Sequence, residues 1–244
     1  MENKQNFDDL PRRIGFWGGF SIMVGVIIGS GIFRTPASIA NECGNPILIM
    51  MFWILGGLIA FLGALAYAEL AAMFPKSGGI YIYLKEALGE IYSFIFGWSF
   101  LLVTKPLAIA AIATVFSEHA HKLFGFQYNI GITTCFIILL ITTINTIGMR
   151  LGANVAIFFT SMKIASLLFI IFLGIILMKG TSNLEFNDTP KNLLFAIIPI
   201  MVSIMWTYDG WEDISSIAGE VKNPQKTLPK IFLAGTIVTT LLYV

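Results

Sequence analysis

Apolar residues run along this chain in long blocks, and seven blocks reach or approach the roughly 20 residues that an α-helix needs to cross about 30 Å of hydrocarbon. They lie near residues 14–40, 46–73, 92–116, 130–148, 153–178, 192–218 and 228–244. The pattern predicts an all-α membrane protein of about seven spans. Between the second and third blocks, Phe74-Pro75-Lys76-Ser77-Gly78-Gly79 leads into residues 80–89, too few to span and amphipathic in character. That segment reads as a short helix lying at the interface or re-entering it, a gate element on the cytoplasmic side. The last block holds 17 residues and ends on Leu-Leu-Tyr-Val without a polar cap, so at 1.5 Å per residue it covers only about 25 Å and reads as cut off within a helix.

Two blocks are interrupted. The first contains Gly29-Ser30-Gly31, and the sixth contains Met205-Trp206-Thr207-Tyr208-Asp209-Gly210-Trp211. Backbone that leaves the helix at membrane depth exposes N–H and C=O groups, each costing several kcal/mol in hydrocarbon unless protein, water or a ligand takes it up. A Gly-x-Gly alone in a membrane helix more often marks a close helix–helix contact than a break. The matched pair, with Asp209 at mid-membrane depth, favours broken helices at a functional site.

Charge orients the spans. Lys4, Arg12, Arg13, Lys76, Lys85, Arg150, Lys222, Lys226 and Lys230 fall on one side and only Lys122, Lys179 and Lys191 on the other, which predicts a cytoplasmic N-terminus. Spans one and six then run in opposite directions, as in transporters built from inverted repeats, whose site lies between two discontinuous helices at the midplane. The expected layout is a cytoplasmic tail at 1–13, a five-helix repeat at 14–178, an extracellular loop at 179–191 and an incomplete second repeat at 192–244.

The chemistry of such a gap follows from helix ends. A half-helix starting near Ile32 offers the N–H groups of Ser30, Gly31 and Ile32 and a positive dipole end, suited to a carboxylate. Halves ending near Ile28 and near Trp206 offer carbonyls suited to an ammonium group, so the gap fits a zwitterion. Glycine at 29 and 31 removes Cβ atoms that would hold a ligand off the backbone. Trp206 reads as a lid or as a packing aromatic, as does Tyr208 for packing, and Glu212 and Asp213 line a water path or form the wet side of the inner half-helix.

Only 12% of the 244 residues are charged and the net charge is +1, against roughly 25% charged in an average soluble domain; no basic face for nucleic acid exists. Cys43 and Cys135 lie in separate segments without a disulfide framework or metal spacing. No nucleophile–base or metal arrangement occurs, so neither an enzyme nor a cofactor is expected. A seven-span receptor is disfavoured by the basic N-terminus, and a channel by the lack of a repeated filter sequence.

Three stretches resemble the amino acid–polyamine–organocation superfamily, and within it the L-type amino acid transporters and their prokaryotic relatives. They are Gly29-Ser30-Gly31-Ile32-Phe33 with Pro36, Pro75-Lys76-Ser77-Gly78-Gly79 with Tyr81 and Tyr83, and Tyr208-Asp209-Gly210-Trp211 followed by Gly219-Glu220-Val221-Lys222-Asn223-Pro224 and Leu228-Pro229. The resemblance implies a five-plus-five inverted-repeat fold with two further helices and amino-acid transport by alternating access, driven by exchange or a proton. It implies that Ser30 and Gly31 bind the substrate carboxylate, that the carbonyls of Ile27, Trp206 and Asp209 hold its amino group, and that Trp206 gates the outer side. Ile28, Gly29, Tyr208 and Gly210 complete the expected lining. Lys163, in span five, resembles a built-in cation that replaces sodium in sodium-independent members, and is the candidate for coupling. Lys105 before Pro106 is a second cation within a span. Animal relatives join a heavy chain through a cysteine between spans three and four; Ser117 to Asn129 contains none, so no disulfide-linked partner is expected. A chain with seven spans reads as a fragment of such a permease, a split product, or an incomplete frame.

Overall fold

A computed structural model of the chain describes residues 11–125, 129–147, 149–177 and 193–244. Most of the tail at 1–13, the loop at 179–191 and the glycosylation-like triplet Asn187-Asp188-Thr189 lie outside them.

The described residues form α1 (Phe16–Ile27), α2 (Gly31–Cys43), α3 (Pro46–Met73), α4 (Ile80–Leu88), α5 (Glu90–Ser99), α6 (Lys105–Phe124), α7 (Ile130–Ile147), α8 (Met149–Leu177), α9 (Leu193–Tyr208) and α10 (Pro224–Tyr243). A π-helical turn, Phe100–Thr104, joins α5 to α6, and a 3-10 helix, Trp211–Glu220, follows α9. The one β feature among them is an isolated parallel bridge between Ile14 and Val221. Among the described residues five helical stretches are long and apolar enough to cross a membrane: Phe16–Cys43 taken across its interruption, Pro46–Met73, Glu90–Phe124, Ile130–Ile147 and Ile157–Leu177.

Local chemistry explains the boundaries. Gly44, at φ 63°, ends α2, and Asn45 caps α3 by accepting the N–H groups of Ile47 and Leu48 at 3.0 and 3.2 Å, with Pro46 at the first helical position where its missing donor costs nothing. The π-helical turn sits just before Pro106, whose absent N–H leaves a carbonyl one turn back without its helical donor. Lys105 there lies with Nζ 4.8 Å from the Phe100 ring centre, a cation–π contact. The short helix expected at 80–89 is present as α4. Several boundaries differ from the sequence reading, among them the start of α8 at Met149 rather than near 153. The helix expected from Leu228 begins at Pro224, directly after Asn223, whose φ of 46° makes the turn. The loop expected from Ser117 is helical as far as Phe124.

The chain divides into two compact units, residues 90–166 and the remainder. Within the 90–166 unit α6 and α7 are joined by the Thr134 hydroxyl donating to Ser117 Oγ at 3.1 Å and by His121 Nε2 at 2.7 Å from Thr133 Oγ1. The larger unit has its core where α3 lies along α10 and α9. Met23, Ile200, Ile204, Tyr208, Leu228, Ile231 and Phe232 are fully buried there. Gly56 and Gly57 of α3 let it approach: a Cβ on the first would collide with Ile204, and one on the second with Thr240.

Candidate functional site: two broken helices side by side

Both interruptions foreseen in the sequence are real departures from helix. α1 stops at Ile27 and α2 starts at Gly31. Between them Ile28, at φ −72° and ψ 84°, lets the Gly29 N–H return to the Ile27 carbonyl at 2.7 Å, the geometry of an inverse γ-turn. Ser30 stands at the cap position of α2, and its hydroxyl makes no capping bond. The N–H groups of the first turn of α2 have no partner within their own helix.

The second interruption is narrower and lies later than the sequence suggested. α9 continues through Trp206 and Thr207 to Tyr208, and the chain turns only at Asp209-Gly210, with Gly210 at φ 101°. The inner half is a 3-10 helix rather than an α-helix. In a continued α-helix the Gly210 N–H would return to the Trp206 carbonyl; here it donates to the Glu212 carboxylate at 3.2 Å. Glu212, read from the sequence as lining or wet surface, is thus the side chain that caps this break.

The two breaks lie against each other within the larger unit. α2 packs on α9 and α1 packs on the 3-10 helix, so the first half of each broken helix meets the second half of the other, which makes the pair antiparallel. The crossing is close at two points. A Cβ on Gly31 would fall 2.8 Å from Thr207 Oγ1 and 3.1 Å from its Cα, and a Cβ on Gly210 would fall 2.8 Å from Val26 Cγ1. The Thr207 hydroxyl donates to the Ser203 carbonyl at 2.9 Å and pairs with Thr35 Oγ1 at 3.0 Å, a buried polar contact across the α2–α9 crossing.

Around these breaks the expected residues separate. Ile27, Ile28 and Ile32 are buried, Gly29, Ser30 and Gly31 are partly open, and Asp209 is exposed. Tyr208 turns into the core, 1% exposed, with its hydroxyl donating to the Trp53 carbonyl at 3.1 Å; Trp206 is 51% exposed. The two aromatics therefore divide, one packing and one open. Gly31 spends its missing Cβ on Thr207, whereas a Cβ on Gly29 would meet nothing nearer than the Ile27 carbonyl at 3.9 Å, so Gly29 is the position whose open space faces no protein. Lys163 lies in α8, in the 90–166 unit.

One residue had no signal in the sequence. Tyr243, near the end of α10, donates its hydroxyl to the Ile27 carbonyl at 3.1 Å. That carbonyl, the last of α1, thus takes donors from both Gly29 and Tyr243. Tyr243 also packs at a tilt against Tyr208 and edge-on against Trp53, ring centres 5.1 and 5.8 Å away, which fixes the hydroxyl's aim.

At the other end of the 3-10 helix the loop before α4 docks, with the Gly78 N–H donating to the Ser216 carbonyl at 3.1 Å. Beyond Glu220 the chain is extended, and it pairs with the base of α1: Ile14 donates to Glu220 at 2.9 Å and accepts from Lys222 at 2.8 Å.

Residues 14–244 match the amino acid permease family. The chain is 36% identical over 245 residues to the b(0,+)-type amino acid transporter 1 of Oryctolagus cuniculus, covering 96% of this chain and 50% of that protein. It is 30% identical over 238 residues to the serine/threonine exchanger SteT of Bacillus subtilis (strain 168), covering 96% and 53%, and 31% identical over 243 residues to the human cystine/glutamate transporter, covering 96% and 48%. The chain spans about half the length of the curated relatives it matches.

Proposed function

This chain, a multi-pass membrane protein, belongs to the amino acid permease family, and from that premise we propose that it carries the substrate-clasping helices of a secondary transporter for small α-amino acids. The reading rests on one observation, the side-by-side antiparallel breaks at 28–30 and 209–210. The start of α2 receives the substrate carboxylate at the N–H groups of Ser30, Gly31 and Ile32, in the open space beside Gly29. A carboxylate there gains charge-assisted hydrogen bonds of about 1.5–3 kcal/mol each, with the helix dipole adding about 0.3–1 kcal/mol. The ammonium group takes the carbonyl side of the gap, from Ile27, Trp206 and Asp209, where it competes with the Tyr243 hydroxyl for Ile27. Trp206, the open aromatic, covers the outer side.

The rest of the scheme follows from the same premise. The N-terminus faces the cytoplasm of a cell membrane, residues 14–178 form the first inverted repeat and 192–244 belong to the second, and α4 with its preceding loop forms the inner gate. Lys163 carries the coupling cation, and flux proceeds by exchange or with a proton. The chain acts as a carrier, not an enzyme, and without a disulfide-linked heavy chain. The serine/threonine exchanger among its relatives makes L-serine the first substrate to try. The test is competition for labelled L-serine on the purified protein in proteoliposomes. A clasp for both charges predicts displacement by L-serine and none by serinamide or N-acetylserine, which each lack one charge; equal displacement by either derivative refutes it.

A further inference from the structure

Where the base of α1, the end of α3 and the start of α10 converge, the surface opens into a cavity of about 390 Å3 lined by Arg12, Pro75, Asn223, Pro224, Gln225 and Lys226. On the same measure a single water needs roughly 10–15 Å3, so the space admits a polar group of many atoms. Among the described residues its lining contains two cations and two side-chain amides and no acid. Arg12 and Lys226 are exposed, and neither forms a salt bridge among the described residues. The two hydrogen bonds of Ile14 with Glu220 and Lys222 tie the segment just after Arg12 to the segment that leads into Asn223, and both residues line the cavity. Among the described residues this lining offers cations and amide donors without a carboxylate, which fits an oxyanion.

The surroundings decide which oxyanion. The cavity lies at the ends of two stretches long enough to cross a membrane, Phe16–Cys43 and Pro46–Met73. Trp17, the second residue of the first of them, is 74% exposed and is packed edge-on by Phe16 and Phe20, with ring centres at 5.1 and 6.0 Å. Exposed tryptophan with neighbouring aromatic rings belongs at the headgroup level of a bilayer, which sets the cavity at that level too. We infer that this cavity binds the phosphate of an anionic lipid headgroup, with Arg12 and Lys226 supplying charge and Asn223 and Gln225 supplying donors. A headgroup held there bridges the base of α1 to α10.

The experiment uses the full chain in phosphatidylcholine vesicles and measures by electron paramagnetic resonance the association of spin-labelled phosphatidylglycerol relative to spin-labelled phosphatidylcholine. The wild type is expected to prefer phosphatidylglycerol, with a preference that weakens as salt is raised. Arg12→Gln with Lys226→Gln is expected to lower the preference by about fivefold per charge removed, while Lys122→Gln, in α6, leaves it unchanged. Unchanged thermal midpoints for all variants show that they remain folded. A double variant that keeps the preference, or a Lys122→Gln variant that loses as much, overturns the site. Glycerol phosphate at millimolar concentration is the second arm: if it abolishes the preference, the cavity takes soluble phosphate esters and the lipid assignment is overturned, whereas an unaffected preference supports it.

Discussion

At residues 28–30 the chain leaves its helix through angles open to any residue, φ −72° at Ile28 and −71° at Ser30, whereas at Gly210 it turns through φ 101°, a value that side chains resist. The first break is held by two hydrogen bonds on one carbonyl, from its own Gly29 N–H and from the distant Tyr243 hydroxyl. The second is held by its own backbone conformation and by a carboxylate two residues on. Glycine therefore means different things in the two places: space at 29, closeness at 31, conformation at 210. The break that leaves room beside its backbone is the one whose glycine is not needed for the turn, which is what a ligand site requires.

The most damaging substitution is expected at the conformational break. Gly210→Ala combines an unfavourable φ with a contact on Val26 Cγ1, and is expected to cost about 2–3 kcal/mol, a fall of roughly 4–12 °C in the unfolding midpoint of a chain this size. Thermal unfolding in detergent measures it. Next, Thr207→Val removes the hydroxyl that meets Thr35 across the α2–α9 crossing, leaving a buried group unpaired at a cost of about 1–2 kcal/mol by the same assay. Tyr243→Phe takes one of two donors from the Ile27 carbonyl and is expected to cost about 1 kcal/mol; since that carbonyl also faces the proposed ammonium site, L-serine binding should tighten rather than weaken. The smallest effect on stability is expected at Gly29→Ala, under about 0.5 kcal/mol, because its Cβ meets nothing closer than 3.9 Å, yet L-serine affinity should fall at least tenfold. A Gly29→Ala protein with wild-type affinity would remove the carboxylate from this gap.

Much of this contrast was legible in the chain before folding. Long apolar blocks give helices because the bilayer leaves backbone groups no other partner, and α3 occupies the predicted 46–73 to the residue. Gly-Ser-Gly and Asp-Gly announced the breaks, since both spoil an apolar helix. The sequence could not place their exact edges: Trp206 and Thr207 remain helical because α9 is buried against α2 and α3, and packing overrides the local polar signal. Nor could it show that Gly31 faces Thr207 or that Tyr243 reaches Ile27, 216 positions away. Those contacts depend on how two helices cross, and no periodicity within either one encodes that.

The parallel bridge at Ile14 and Val221 ties the foot of α1 to the end of the 3-10 helix. Its two bonds join main chain to main chain, so no single side-chain exchange other than to proline at 14 or 222 deletes a donor from it. Tilting the foot of α1 outward must drag the tail of the 3-10 helix with it, or break both bonds at once. Any bending at residues 28–30 that displaces α1 therefore pulls on the segment that follows the second break at 209–210.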